Sequence, residues 1–246
     1  MSKNIRICLE YDGTRYDGWQ KQENTDMTIQ GKLEVLLKKM TGENIEIHGS
    51  GRTDAGVHAF GQIANFHTST KMSVDEIMNY MNEYLPKDIA VVNVSEEAPR
   101  FHSRLNARKK IYCYRIWNSK VSNVFQHRFL YQLAEELDLE KMREAAEIMT
   151  GTHDFKGFCS NKRMKKSSVR TIEKISIEKI ENEIQIRFTG DGFLYHMVRI
   201  LTGTLIEIGM GKRKIETVLE IFEKKDRQLA GYTAPPNGLV LEKVEY

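Results

Sequence analysis

The sequence predicts an α+β fold, and three observations carry that expectation. Strand-like alternation of apolar and polar residues recurs along the whole chain, and amphipathic helical stripes stand between the strands. No fixed short repeat and no low-complexity tract interrupts the mixture. At 246 residues the chain is long enough for one large domain or two small ones. Apolar periodicity lapses over 100–110, where basic side chains take over. The expected division therefore gives one half at residues 1–105 and another at 106–246.

Ile5, Ile7, Leu9 and Tyr11 alternate with Arg6, Cys8 and Glu10, the pattern of a half-buried strand. Asp12-Gly13-Thr14 reads as a turn. Ile29, Leu33, Leu36, Leu37 and Met40 fall at helical spacing, with Thr28 as N-cap and Gly42 just past the end. A strand is expected near 45–48 and another at 62–66, on either side of a glycine-rich loop. Ser73-Val74-Asp75-Glu76 is a capping box, opening a helix with Ile77, Tyr80, Met81 and Tyr84 on its inner face. Residues 89–94 read as a strand buried on both faces, and 110–118 as the strand that opens the second half. A helix at 138–150 is stopped by Gly151, and paired strands follow at 172–180 and 183–188. A long apolar stripe predicts a helix over 193–208, ended by Gly209. A shorter helix at 215–222 and a closing strand at 238–244 complete the chain.

Composition excludes several classes. Hydrophobic residues make up 40% and charged residues 29%, ordinary for a globular protein and unlike a disordered one. The apolar runs are far short of a membrane span, and the first residues carry no apolar core of a signal peptide. Cys8, Cys113 and Cys159 are isolated and odd in number, giving neither a disulfide framework nor a metal knuckle. A reducing cytoplasm is the simplest expectation. The net charge of +3 says little, but its distribution says more. Residues 101–134 hold no Asp or Glu, yet carry Arg104, Arg108, Lys109, Lys110, Arg115, Lys120 and Arg128. Residues 155–172 are also free of acids and carry Lys156, Lys162, Arg163, Lys165, Lys166 and Arg170. Interleaved with Tyr112, Tyr114, Trp117, Phe155 and Phe158, these segments suit a polyanion whose bases stack. Two solvated loops would look the same.

The most informative segment is Gly51-Arg52-Thr53-Asp54-Ala55-Gly56-Val57-His58. Its glycines let the backbone turn sharply, Arg52 offers a planar cation, and Asp54 offers a carboxylate. Taken alone, an Asp in such a loop is more often a turn or cap residue than a catalytic one. The loop lacks the Gly-Lys-Ser/Thr ending of a phosphate-binding P-loop. His58 and His67 have no partner at metal-ligand spacing, so surface or core positions are expected for both.

Residues 51–58 resemble the signature of the tRNA pseudouridine synthase A family, and other segments agree with it in order. Tyr11-Asp12-Gly13-Thr14-Arg15-Tyr16-Asp17-Gly18-Trp19-Gln20 is similar to that family's opening strand and turn. Phe101-His102-Ser103-Arg104 and Lys110-Ile111-Tyr112-Cys113-Tyr114 are similar to its central segment. Gly151-Thr152-His153-Asp154-Phe155, Ser168-Val169-Arg170-Thr171-Ile172, Phe193-Leu194-Tyr195-His196-Met197-Val198-Arg199 and Gly238-Leu239-Val240-Leu241 complete the resemblance, which runs over almost the whole chain.

The resemblance implies two α+β halves sharing a mainly antiparallel sheet flanked by helices, with the active cleft between them. It implies isomerisation of uridine to pseudouridine at positions 38–40 of the tRNA anticodon stem-loop, by a cytoplasmic homodimer. The product is an isomer of the substrate, so neither cofactor nor metal is expected. By resemblance Asp54 is the catalytic carboxylate and Arg199 pairs with it. Tyr112 stacks on the target uracil, Leu239 packs on its other side, and Arg52 occupies the space left by the flipped uridine. Spacing alone reads Arg199 as a helix-surface arginine and both Tyr112 and Leu239 as core. Ile111 and Cys113 stand where the family often carries basic residues, and residues 159–167 are more basic than its pattern. The alternatives are the same chemistry on other tRNA uridines or on ribosomal RNA, and a non-catalytic RNA-binding or RNA-folding protein. The last needs basic and aromatic surface but no placed carboxylate.

Overall fold

The computed structural model describes residues 2–161 and 163–246. The chain forms two compact units. Unit one holds the residues up to Arg108 together with Val240–Tyr246, and unit two is Lys109–Leu239. Both are α+β with mainly antiparallel strands. Among the described residues no helix is long and apolar enough to cross a membrane.

Unit one is built around β1 (Lys3–Tyr11). Its alternation places Ile5, Ile7 and Leu9 fully inside, each contributing about 2 kcal/mol by the apolar surface it removes from water. The chain then runs through α1 (Ile29–Thr41), β2 (His48–Gly49), β3 (His58–Thr68), α2 (Val74–Tyr84) and β4 (Ile89–Glu97). β1 pairs antiparallel with β3, from Lys3↔Thr68 to Leu9↔Gln62, and on its other edge with β4, from Asn4↔Glu97 to Tyr11↔Ile89. The far edge of β3 takes β2 antiparallel at His48↔Asn65. It also takes the closing strand (Leu239–Glu245) in parallel, at Val240↔His58 and Leu241↔Ala59.

The caps are as the sequence predicts. Thr28 Oγ1 accepts from the Gly31 N–H and Gly42 ends α1 in the left-handed region. Ser73 and Glu76 form the reciprocal capping box of α2. Three expectations are corrected. The strand near 45–48 reduces to His48–Gly49, although Ile45 and Ile47 are buried. β4 is an edge strand with Val92 exposed, because its partner lies on one side only, so its apolar run does not make it doubly buried. On α2 only Ile77 and Met81 are buried, while Tyr84 is exposed, its ring tilted against that of Tyr80 with centroids 4.6 Å apart.

Unit two opens with β5 (Lys109–Asn118) and β6 (Tyr131–Leu133), which lie parallel at Ile116↔Tyr131. Then come α3 (Leu139–Met149), β7 (Gly151–Asp154), β8 (Val169–Ile180) and β9 (Glu183–Gly190), in the order β5-β9-β8-β7, all antiparallel. Helices α4 (Met197–Gly209) and α5 (Thr217–Lys224) follow. The predicted helix over 193–208 begins only at Met197, because His196 sits in the left-handed region at φ 62° and breaks the turn before it. The apolar stripe passes through that break unchanged, since Leu194 and Met197 are both buried.

Candidate active site

The Asp54 loop is held from below by side chains of β1 and β3. Ser50 Oγ donates to Gln62 Oε1 at 2.6 Å, and Gln62 Nε2 donates to the Gly51 carbonyl at 2.9 Å and reaches the Tyr11 hydroxyl at 3.4 Å. The Tyr11 hydroxyl in turn shares a hydrogen bond of 2.9 Å with Thr53 Oγ1. Ser50, Thr53, Gln62 and Tyr11 are all buried, so this network is shielded from water. Burial pushes the Tyr11 phenol up to about 12, against the lowering effect of Thr53 and Gln62, and the ring stays neutral.

From above, the loop is held by backbone. The Trp19 N–H donates to the Thr53 carbonyl at 3.0 Å and the Gly56 N–H to the Tyr16 carbonyl at 3.1 Å. A Cβ at Gly18 (φ 94°) would stand 2.6 Å from the Thr53 oxygen, so only glycine allows this approach. The Val57 N–H returns to the Asp54 carbonyl at 3.1 Å, closing a turn whose third residue, Gly56, has φ 76°. Asp54 is thus fixed through the backbone on both sides and remains half-buried, while Arg52 is exposed.

The strand-to-turn segment before the loop has its own anchors. Asp88 accepts from Tyr16 Oη at 2.7 Å and from Arg15 Nη2 at 2.6 Å. Burial alone would raise the Asp88 carboxyl, but these donors hold it below the usual range. His58 is buried, and its Nδ1 accepts from the Gly13 N–H at 3.0 Å. Asp12 Oδ1 also lies 3.3 Å from that nitrogen. The bond from Gly13 ties the buried ring to the turn. His58 is therefore a core histidine that ties the turn to β3, one of the two positions the sequence allows.

Unit two carries both Tyr112 and Arg199. Tyr112, on β5, is buried, its ring edge-on to Phe193 with centroids 5.2 Å apart. Arg199 is half-buried on the first turns of α4. Its Nε donates to the Ala234 carbonyl at 2.7 Å, while the Ala234 N–H donates back to the Arg199 carbonyl at 3.1 Å. The next residue, Pro235, accepts from the Tyr114 hydroxyl at 2.8 Å. Burial raises the Tyr114 phenol well above its ordinary value, with the Arg199 charge opposing. Segment 234–238 is thereby pinned at Ala234 and Pro235, and it delivers Leu239, which is buried, to the start of the closing strand.

Of the basic segments, Arg104, Arg108, Arg163, Lys165 and Lys166 are exposed. Lys109 meets Glu173 at 2.7 Å, and Arg115 is engaged by Glu183 at 2.7 Å. Lys162 lies outside the described residues. Among the described residues no group of three His, Cys, Asp or Glu side chains is placed to hold a metal ion.

A family model described as tRNA pseudouridine synthase matches residues 7–106 and 145–246. The chain belongs to the tRNA pseudouridine synthase family. Asp54, Arg52, Arg199 and Leu239 fall inside the matched stretches, and Tyr112 falls between them. Among the curated members of that family, tRNA pseudouridine synthase A of Bacillus sp. (strain KSM-64) is 46% identical over 99% of both chains. tRNA pseudouridine synthase A 2 of Clostridium perfringens is 45% identical over 99% of this chain and all of that one. tRNA pseudouridine synthase A of Geobacillus sp. (strain WCH70) is 45% identical over the whole of this chain and 99% of its own. Sequence reading gives Tyr11, Ser50 and Gln62 no part in holding the Asp54 loop, and family membership names none of them. Gln62 signals itself only as a polar residue within an otherwise apolar strand.

Proposed function

We propose that this chain isomerises uridine to pseudouridine in tRNA, at positions 38–40 of the anticodon stem-loop, as a cytoplasmic homodimer. The reading is carried by one observation: a carboxylate, Asp54, sits in a loop fixed by backbone bonds on both sides, in a chain that belongs to the synthase family. In the reaction the bond between uracil N1 and ribose C1′ breaks, the uracil turns, and C5 bonds to C1′. The C5 proton is lost and N1 ends protonated, so atoms and electrons balance within one nucleotide.

Asp54 is the catalytic carboxylate at the sugar–base junction. Tyr112 supplies an aromatic face and Leu239 an apolar one for the detached uracil, which lets it rotate without leaving. Arg199 supplies the cation that favours the ionised carboxylate. Arg52, exposed beside Asp54, enters the stem where the uridine has flipped out.

Release of tritium from C5-labelled tRNA transcript reports turnover, and sequencing the modified transcript locates the product. Wild type is expected to modify positions 38–40. Asp54→Asn is expected to lose at least about a hundredfold in turnover while still binding the transcript. Asp54→Asn turning over near the wild-type rate, or product at other positions only, would overturn the corresponding part of the proposal.

A further inference from the structure

The loop between β9 and α4, residues 191–196, does three things at once. Phe193 meets the Tyr112 ring edge-on at 5.2 Å. Gly192 lies against Arg170, whose Nε would be 3.6 Å from a Cβ there. Tyr195 points outward, 55% exposed, between the buried Leu194 and Met197. Its ring is stacked on His196 with centroids 3.7 Å apart and planes 27° apart.

Presenting that ring requires a conformation that non-glycine residues seldom adopt. His196 is held at φ 62°, ψ 4°, and no side-chain hydrogen bond caps the helix that follows. Two contacts with one residue hold the turn: His196 Nδ1 pairs with Ser160 Oγ at 3.0 Å, and the Ser160 N–H donates to the Tyr195 carbonyl at 3.2 Å. Had the helix run on from 193, as the apolar stripe alone suggests, the Tyr195–His196 stack would not form at this turn. Ser160 is also where the basic segment leaves this turn. Arg163, Lys165 and Lys166 follow it and are exposed, and no Asp or Glu occurs from 155 to 172.

We propose that Tyr195, backed by His196, is a second stacking platform, which receives an unpaired nucleobase flanking the target uridine while the adjoining cations receive its phosphates. An exposed aromatic face whose anchor, Ser160, is followed three to six residues on by the exposed Arg163, Lys165 and Lys166 suits single-stranded RNA: the ring binds any base through its face, and the cations track the backbone. A core role explains Leu194 and Met197 but leaves the exposed Tyr195 ring, and the uncommon turn that presents it, without a purpose. The inference rests on the reading of this chain as a tRNA-modifying enzyme and adds a binding site to it.

The test places 2-aminopurine, in turn, at each nucleotide flanking the target uridine of a tRNA transcript, and measures its quenching beside KM and kcat. Wild type is expected to quench the probe at one flanking position. Tyr195→Ala should lose that quenching and bind the transcript about five- to a hundredfold more weakly, with kcat at saturation kept. Tyr195→Trp should restore both, and Tyr195→Leu, which keeps apolar bulk without the face, should not. No quenching at any flanking position, or unchanged KM in Tyr195→Ala, would overturn the proposal. So would a fall in kcat and melting temperature together that Tyr195→Trp fails to rescue, because that is the signature of a purely structural side chain. If wild type forms no pseudouridine in tRNA at all, the functional reading fails. If wild type turns over and Tyr195→Ala matches it, only the platform fails.

Discussion

The Tyr11 hydroxyl and Thr53 Oγ1 share a buried hydrogen bond of 2.9 Å, one residue before Asp54 in the chain. It joins the first strand of unit one to the loop that carries the carboxylate. Tyr11→Phe removes it and takes from Gln62 a neighbour at 3.4 Å. The expected cost is about 1–3 kcal/mol of stability, because polar groups are left under-satisfied away from water. Turnover should fall in the folded protein while RNA affinity holds, and single-turnover rates run beside urea melts check both. Unchanged turnover would mean that the loop is held by its backbone bonds alone.

The same phenol gives a prediction about alkaline stability. Its folded value of about 12 lies above the ordinary value of about 10, so the folded state holds this proton more tightly than the unfolded chain. The stability linked to that proton is fully present below about pH 10 and is lost as pH rises through 12, at about 1.4 kcal/mol per pH unit. Urea melts at about pH 9 and pH 11 should show wild type losing about 1 kcal/mol more than Tyr11→Phe. Equal losses would refute the assignment.

Gly18→Ala is expected to disturb Asp54 without touching it. The new Cβ would press on the Thr53 oxygen at 2.6 Å from a backbone at φ 94°. Strain of about 1–3 kcal/mol should appear in thermal melts. The Trp19–Thr53 bond should yield, and kcat should fall at least tenfold, about 1.4 kcal/mol in the barrier. An active, unshifted Gly18→Ala would show that the loop tolerates displacement.

Tyr112 separates stacking from packing. It is only 7% exposed and rests against Phe193, so a core role has direct structural support. A uracil-stacking role predicts that Tyr112→Phe keeps activity, and that Tyr112→Leu folds but loses at least about tenfold in single-turnover rate. A core role predicts melting temperatures that fall with the volume removed and equal rates for the folded fractions.

Salt dependence tests the basic segments. Arg104, Arg108, Arg163, Lys165 and Lys166 are exposed, whereas Lys109 and Arg115 are engaged by Glu173 and Glu183. Neutralising Arg104, Arg108, Arg163, Lys165 and Lys166 together should flatten the slope of log affinity against log salt by about 0.7–0.9 for each RNA phosphate that no longer meets a cation. Neutralising Lys109 should matter less. An unchanged slope would make these residues a solvated face.

Legibility in the sequence follows the range of the interactions. Thr28, the Ser73–Glu76 box and Gly42 act within a few residues, and each helix end they mark is where the sequence puts it. The start of α4 escapes the sequence because helical periodicity registers buried side chains and is blind to one residue at positive φ. The edge position of β4 escapes it because an apolar run does not say how many neighbours a strand has. At the candidate site the motif makes Asp54 visible. The bond between Tyr11 and Thr53 spans 42 residues of sequence and that between Gln62 and Gly51 joins a strand to a loop, and neither leaves a local pattern.

The parallel pairing of the closing strand with β3, at Val240↔His58 and Leu241↔Ala59, sets an order of assembly. The strand that starts directly after the Asp54 loop waits for a partner some 180 residues downstream, with all of unit two made in between. Closing so long a connection costs chain entropy that local contacts do not return, and it makes that edge slow to form. During synthesis the edge of β3 stays open at His58 and Ala59 until Val240 and Leu241 have left the ribosome, so the carboxylate's scaffold is finished only after unit two has been made.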